Sequence, residues 1–199
     1  MPAEPVQTKP RRSHNRVQPL LDAAARLFAT KGYRETTMRD IAAAAGMQAG
    51  SVYYHFKSKE DLLLAVYGLA VDSIETRVLE AIEPIDEPWQ RLEMAVITHL
   101  ETILDHGDYS SVMIGVTPDK AAEIGPELVT LRDRYESRFK TIIDSLPLQN
   151  PDDRQLLRLM LLGALNSTKH WHRDQGKTPA AIGRTFIRFL REPLVTNSG

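Results

Sequence analysis

The sequence predicts an all-α protein of about nine helices. Two observations support this prediction: apolar residues recur every three or four positions through most of the 199 residues, and proline and glycine separate these periodic segments. No segment shows the alternation of apolar and polar residues that is typical of a strand. The 42% share of apolar residues and the 26% share of charged residues are those of soluble globular proteins.

Four helices are predicted near the N-terminus, at about 17–31, 38–45, 48–55 and 59–82. Gly32 and Gly46 are expected to end the first two, because glycine readily adopts the left-handed conformation that closes a helix. Thr36 or Thr37 is expected to cap the second helix, and Ser58 the long fourth helix. Residues 1–16 contain three prolines and four basic residues without an apolar period, so we expect a flexible basic arm.

Five further helices are predicted at about 88–105, 109–115, 121–145, 152–173 and 179–191. Thr178 and Pro179 suit the cap and the first turn of the last one. We therefore expect three parts: the basic arm at 1–16, a small head at 17–60, and a helical body at 61–199. The long fourth helix is expected to join the head to the body.

Charge is divided unevenly between the two ends of the chain. Residues 1–60 contain ten Lys or Arg and five Asp or Glu, a balance of +5, whereas residues 61–199 contain fifteen and twenty-one, a balance of −6. The two values sum to the −1 of the whole chain. A basic head on an acidic body favours a polyanion as the partner of the head. A solvated charged face would explain the same numbers.

The second and third predicted helices have the spacing of a helix-turn-helix. Ala42 allows the helices to approach, Gly46 suits the turn between them, and Val52 can anchor the third helix. Directly after Val52, the run YYHFKSKE places aromatic and basic side chains at a helix junction. Phe56 is expected in the core, and the hydroxyl, imidazole and ammonium groups can donate hydrogen bonds to phosphate oxygens.

This part of the chain resembles the TetR family of transcriptional regulators. The residues that carry the resemblance are AARLFATKGY and TTMRDIAAAAGMQAGSVYYHFKSKEDLLLAVY, and it covers about residues 17–67. The resemblance implies a homodimer that binds double-stranded DNA, with the third helix in the major groove. It also implies a body that binds a small-molecule effector and dimerises through its last two helices.

The resemblance implies a DNA-binding role for particular side chains. It implies phosphate contacts from Thr37, Tyr54, His55 and Lys59, base contacts from Gln48, Ala49, Ser51 and Tyr53, and a contribution from Arg39. Ala49 and Gly50 leave the start of the third helix with little side chain, so DNA shape and backbone contacts would matter correspondingly more. A two-fold dimer would address a palindromic operator with half-sites roughly 34–36 Å apart.

The body offers two sets of candidate ligand-binding residues. The apolar and aromatic set is Met94, Ile97, Tyr109, Met113, Tyr135 and Phe139. The second set follows the apolar run LLRLMLLGAL and is Asn166, His170 and Trp171. Core packing would explain the first set, and satisfied polar groups at a dimer seam would explain the second.

The segments GALNSTKHW and DQGKTPAAI resemble the C-terminal part of TetR-like regulators of fatty-acid or sterol breakdown. That resemblance implies an acyl-CoA effector, with the acyl chain among the apolar candidates and Arg132 or Arg138 near the phosphates. Pairing of these arginines with Asp133 or Glu136 is the alternative. A drug-like or aromatic effector, or a helical adaptor without any ligand, also remains open.

Other functions lack sequence support. The chain has no cysteine, and we find no Ser-His-Asp arrangement in a recognised context, no phosphate-binding glycine loop and no metal-ligand spacing, so we expect neither an enzyme nor a bound metal or cofactor. His170 and His172 are two residues apart and diverge on a helix. No signal peptide or membrane span is visible, which predicts a cytoplasmic, nucleoid-associated protein.

Overall fold

The computed structural model describes residues 17–105, 107–117, 121–172 and 176–192. Regular structure in these ranges consists of nine α-helices and two short 3-10 turns, which confirms the predicted all-α class. The helices are α1 (Val17–Thr30), α2 (Met38–Ala44), α3 (Ala49–His55), α4 (Lys59–Ile82), α5 (Pro88–Leu104), α6 (Asp108–Gly115), α7 (Gly125–Asp144), α8 (Arg154–Trp171) and α9 (Pro179–Arg191). The predicted arm at 1–16 lies outside the described residues.

Helices α1, α2 and α3 pack around a small apolar core. Leu20, Ile41 and Val52 each have 0% of their surface exposed. Gly46 has a φ of 64°, in the left-handed region that L side chains rarely adopt, and forms the turn between α2 and α3. The turn at Gly46 and the buried Ala42 confirm the predicted helix-turn-helix arrangement of α2 and α3. Phe56 is only partly buried but packs against the core.

The start of α2 is fixed by a reciprocal pair of hydrogen bonds. Thr37 Oγ1 accepts the backbone amide of Asp40 at 3.2 Å, and the Asp40 carboxylate accepts the amide of Thr37 at 3.1 Å. Lys31 Nζ lies 2.6 Å from the same carboxylate. Thr36, the alternative cap, is instead buried and donates to the carbonyl of Gly32 at 2.7 Å. Thr37 is therefore the cap.

Helix α4 joins the head to the body. Its 24 residues correspond to a length of about 36 Å, and Ser58 caps it by accepting the amide of Asp61 at 3.0 Å. In the body, α4 packs against α5, α6 and α7. The buried Glu75 of α4 pairs with Arg138 at 2.5 Å and Arg134 at 3.3 Å, so ion pairs connect α4 to α7.

Helix α5 lies at the centre of the body. Leu92, Val96 and Leu100 are fully buried, with α4, α7, α8 and α9 packed around them. A Cβ on Gly183 of α9 would lie only 2.8 Å from Ile97 Cγ1, so the glycine permits the close approach of α9 to α5. None of the described helices combines the length and apolarity needed to cross a membrane.

The one body helix that begins clearly later than predicted is α7. The expected range was 121–145, but Ala122–Ile124 form a 3-10 turn and the α-helix begins at Gly125. Pro126 explains the difference, because a proline inside a helix lacks the amide hydrogen and clashes with the preceding turn. Near a helix start the amide is not needed, so Pro126 fits the first turn.

Candidate DNA-binding surface and ligand cavity

Helix α3 presents aromatic and polar side chains to solvent. Tyr54 is 84% exposed and Tyr53 is 52% exposed, although tyrosine usually buries most of its ring. Gln48 and Gly50 at the start of the helix are also exposed, and Ser51 is half-buried. These predicted contact residues therefore share one accessible helix, with hydroxyl and amide groups available to DNA.

The remaining predicted DNA contacts flank this helix. Arg39 is exposed on α2, and Thr37 precedes it at the exposed cap. The half-buried His55 ends α3 with its ring centroid 5.2 Å from that of Tyr54, in an edge-to-face contact. Ala49 is half-buried and packs against the core. Apart from Ala49, these positions extend the polar surface beyond α3.

Lys59 occupies a different environment from the one expected of a phosphate ligand. Its ammonium donates to the carbonyl oxygens of Tyr33 at 2.9 Å, Thr36 at 3.0 Å and Arg34 at 3.4 Å. It also lies 4.4 Å from the centroid of the Tyr33 ring. An ammonium has three hydrogens, and here they are directed at backbone carbonyls, so Lys59 ties the start of α4 to the loop before α2. Its phosphate contact stays a prediction.

Tyr33 is a head residue that the sequence analysis did not single out. Its hydroxyl donates to Glu60 Oε1 at 2.7 Å, and its ring meets Phe28 edge-on at a centroid distance of 5.6 Å. Burial, reinforced by the neighbouring Glu60 carboxylate, raises the pKa of Tyr33 far above its usual value. Tyr33 and Glu60 are 27 residues apart, so no local pattern could reveal this brace.

A cavity of about 430 Å³ lies in the body, a size typical of small-molecule sites. Its walls come from α4, α6, α7 and α8, with His99 contributed by α5. The apolar and aromatic lining is Tyr67, Val71, Met113, Ile114, Val116, Leu128, Tyr135 and Leu162. The remaining lining, most of it polar, is His99, Thr117, Arg132, Glu136, Gly163, Asn166, Ser167, Lys169 and His170.

The cavity brings together four of the nine predicted ligand-binding residues. They are Met113, Tyr135, Asn166 and His170. Arg132 and His170 are exposed as well as lining the cavity, which places them at its mouth. Arg132 also lies 3.3 Å from Asp133 and 3.5 Å from Glu136. Among the described residues, no three His, Asp or Glu side chains are grouped as a metal ion would require.

The other five predicted ligand residues do not line this cavity. Phe139 is fully buried beneath it, and Ile97 packs towards Gly183 of α9. Met94 packs against the apolar core, and Trp171 faces α9 with its ring centroid 6.4 Å from that of Phe186. Tyr109 points towards the head. Helical spacing alone does not distinguish the several faces of these helices, and the ligand-binding roles of these five residues stay predictions that the cavity lining does not support.

His99 is one of several cavity residues that the sequence analysis did not select as ligand-binding candidates. Only 2% of its surface is exposed, and its Nδ1 lies 2.9 Å from the hydroxyl of Tyr135. Burial lowers the pKa of His99 to about 4, and the nearby Asn166 side chain acts in the opposite direction. The ring is therefore neutral at pH 7. A single histidine within an apolar helical pattern carries no signal that distinguishes it from a core residue.

Tyr109 connects the cavity-lining helix α6 to the head. Its hydroxyl donates to Asp22 Oδ1 at 2.8 Å and accepts the amide of Gln18 at 3.2 Å. Both partners belong to α1, and Met113, one helical turn further along α6, lines the cavity. A displacement of α6 by a ligand would therefore act directly on α1.

Comparison with known proteins identifies both parts of the chain. Residues 20–66 match the family described as bacterial regulatory proteins, tetR family, and residues 86–194 match the tetracyclin repressor-like C-terminal domain. The second match covers more than half of the chain. No catalytic role is implied, since this is a family of transcriptional regulators.

Two relatives and one solved structure illustrate the similarity. The HTH-type transcriptional repressor KstR2 of Mycobacterium tuberculosis H37Rv is 32% identical over 64% of this chain and 62% of its own length. KstR2 of Rhodococcus jostii is 38% identical over 62% and 59%, so the chain spans about three fifths of these relatives. FadR of Bacillus subtilis, solved in complex with stearoyl-CoA, has a TM-score of 0.77 at 22% identity, covering 87% of this chain and 97% of that one. The chain belongs to the TetR family of bacterial transcriptional regulators.

Proposed function

We propose that this protein is a homodimeric transcriptional repressor that binds a palindromic operator and is released by a small, largely apolar effector. The observation that carries the proposal is the position of the body cavity. Its walls include α4, which begins in the head, and α6, which contacts α1 through Tyr109. A ligand in the cavity therefore touches the two helices that can transmit its presence to the DNA-binding surface.

The head supplies the proposed operator contacts. We propose that Tyr53 and Ser51 on α3, and Gln48 at its cap, face the base edges. We propose phosphate contacts for Thr37, Arg39, Tyr54 and His55. Phosphate contacts position a protein on DNA without reading its sequence, and contacts to base edges supply the specificity. We assign Lys59 a positioning role instead, because its ammonium holds the loop that precedes α2.

Exposed apolar side chains on α8 support dimerisation. Leu156, Leu159 and Met160 are 69%, 51% and 58% exposed, and Gly163 continues the same face one turn later. Phe189 of α9 is 48% exposed. A stripe at this helical spacing is typical of a surface that another helix covers. A second copy of this chain is the proposed occupant, since one short recognition helix reads few bases and a two-fold dimer doubles the contact.

An acyl-CoA is the proposed effector. The lining combines an apolar wall for an acyl chain with basic side chains, Arg132, Lys169 and His170, on the side of α7 and α8. Arg132 is exposed at the mouth and suits the phosphates of a coenzyme that extends outwards. We propose Arg132 rather than Arg138 for this role, because Arg138 pairs with Glu75 and is not part of the cavity lining.

Release of DNA would follow from a shift between two conformations. A ligand that binds the released conformation more tightly moves the population towards it. The contacts available for this are Tyr67 and Val71 on α4 and Met113 on α6, all in the cavity wall. Tyr67 lies eight residues after the start of α4, so roughly 12 Å of helix separates it from the head. A small rotation of α4 would change the spacing of the two heads in a dimer.

The proposal is tested by measuring operator affinity with and without effector. The operator is first selected from a random DNA library, and its Kd is then followed by fluorescence anisotropy while isovaleryl-CoA or stearoyl-CoA is added. We expect one of these to raise the Kd at least tenfold, with free coenzyme A as the matched control. If aromatic or drug-like compounds weaken binding and acyl-CoAs do not, the effector class is wrong. If the protein selects no DNA, the chain is an adaptor.

A further inference from the structure

The side chain of His99 is held rigidly in the cavity wall. Its Nδ1 edge contacts the Tyr135 hydroxyl at 2.9 Å, and its ring meets Phe139 at a right angle with centroids 5.8 Å apart. Phe139 has no exposed surface, and Tyr135 is 6% exposed. The imidazole therefore has little freedom to rotate, and the opposite edge, which carries Nε2, keeps a fixed direction.

The contact between His99 Nδ1 and the Tyr135 hydroxyl is the basis on which we place the proton of the neutral imidazole. Within the described part of the chain, His99 Nδ1 is the hydrogen-bond partner of the Tyr135 hydroxyl. A tyrosine hydroxyl has one hydrogen to donate. We assign that hydrogen to the contact with His99, so that Tyr135 donates and Nδ1 accepts. A neutral imidazole has one N–H, which then sits on Nε2. The lowered pKa of His99 agrees with a neutral ring.

The buried Nε2 meets hydrogen-bond geometry with none of the described residues, although the Asn166 side chain lies near enough to the imidazole to affect its pKa. Buried donors in folded proteins are nearly always paired, and an unpaired one costs stability. A ligand that accepts a hydrogen bond from such a group would remove this cost. His99 lines the cavity together with Leu128 and Leu162, so the donor lies in a mainly apolar wall.

We propose that His99 Nε2–H is the specificity-determining donor of the cavity and binds a carbonyl oxygen of the effector, next to its apolar portion. The inference rests on the proposed function and refines it: the cavity recognises an acyl carbonyl rather than a hydrocarbon chain alone. Asn166 and Ser167 on α8 supply the remaining polar groups of the wall.

The experiment compares two ligands and three proteins. The ligands are the tighter-binding of isovaleryl-CoA and stearoyl-CoA, and its thioether analogue, in which CH₂ replaces the carbonyl. The proteins are the wild type, His99→Leu, which removes the donor, and His99→Gln, which retains an N–H close to the position of Nε2. Isothermal titration calorimetry gives each Kd without DNA, and circular dichroism checks that each variant is folded.

We expect the wild type to prefer the thioester over the thioether by roughly 10- to 100-fold, the effect of leaving a buried donor unpaired. The preference should disappear in His99→Leu and be largely retained in His99→Gln. Equal binding of the two ligands by the wild type overturns the inference but leaves an acyl-CoA effector intact. A preference that persists in His99→Leu also overturns it. If neither ligand binds the wild type, the acyl-CoA assignment fails and the inference fails with it.

Discussion

His99 should make the stability of the folded protein depend on pH between about 4 and 6.5. Burial lowers the pKa of the imidazole from 6.5 to about 4 in the folded state, whereas the unfolded chain has the ordinary value. In this interval the unfolded state binds more protons, so stability falls as the pH falls. The stability that the protein gains from keeping His99 neutral is fully present above pH 6.5. The difference of about 2.5 between the two pKa values corresponds to about 3 kcal/mol of unfolding free energy lost by pH 4.

The matched variant His99→Gln isolates this effect. The other ionisable groups around the cavity, including Glu136 on α7 and His170 on α8, are present in both proteins, so their contributions cancel in the difference. Urea denaturation at pH steps from 4.0 to 7.5 gives the unfolding free energy of each. The wild type should lose about 3 kcal/mol more than His99→Gln over this range. If the plots of unfolding free energy against pH are parallel for the two proteins, the reasoning is refuted, even if the variant is less stable at every pH.

Three further substitutions test the head and the proposed dimer. Tyr54→Ala removes an 84% exposed side chain and should weaken operator binding roughly tenfold, measured by anisotropy, without changing the melting temperature. Unchanged affinity would show that Tyr54 is not part of the interface. Lys140→Ala in the body is the control. Lys59→Ala should lower the free energy of unfolding by about 1–3 kcal/mol in urea denaturation, because three carbonyls lose their donor. An unchanged free energy of unfolding together with a reduced salt dependence of DNA binding would instead support a phosphate contact. Met160→Asp places a charge on the exposed apolar stripe of α8 and should give a monomer in light scattering; a dimer would show that α8 is not the interface.

Features encoded within a few residues could be predicted from the sequence. The Thr37 and Ser58 caps, the Gly46 turn and the proline at the start of α9 all depend on neighbours one to four positions away. Apolar periodicity likewise located the nine α-helices of the described ranges, because an amphipathic helix buries one face. The periodicity did not predict the exact helix boundaries. Helix α7, for example, begins next to Pro126 and later than expected.

Features that depend on distant partners could not be predicted in this way. Lys59 has the charge of a phosphate ligand, but the loop that its ammonium binds lies more than twenty positions earlier in the chain. His99 and Tyr135 are 36 residues apart, and their pairing arises only when α5 and α7 pack. The apolar spacing of α5 selected Ile97 for the cavity, although the cavity residue on that helix is His99.

The central claim is that occupation of the body cavity and binding of DNA by the head are coupled. Coupling between two binding sites is reciprocal, so an effector that weakens operator binding must itself be bound more weakly by the operator complex, by the same factor. The direct measurement is the Kd of the acyl-CoA by calorimetry, for the free protein and for the protein saturated with operator. The account predicts a Kd at least tenfold higher in the operator complex. Equal values in the two states would contradict it.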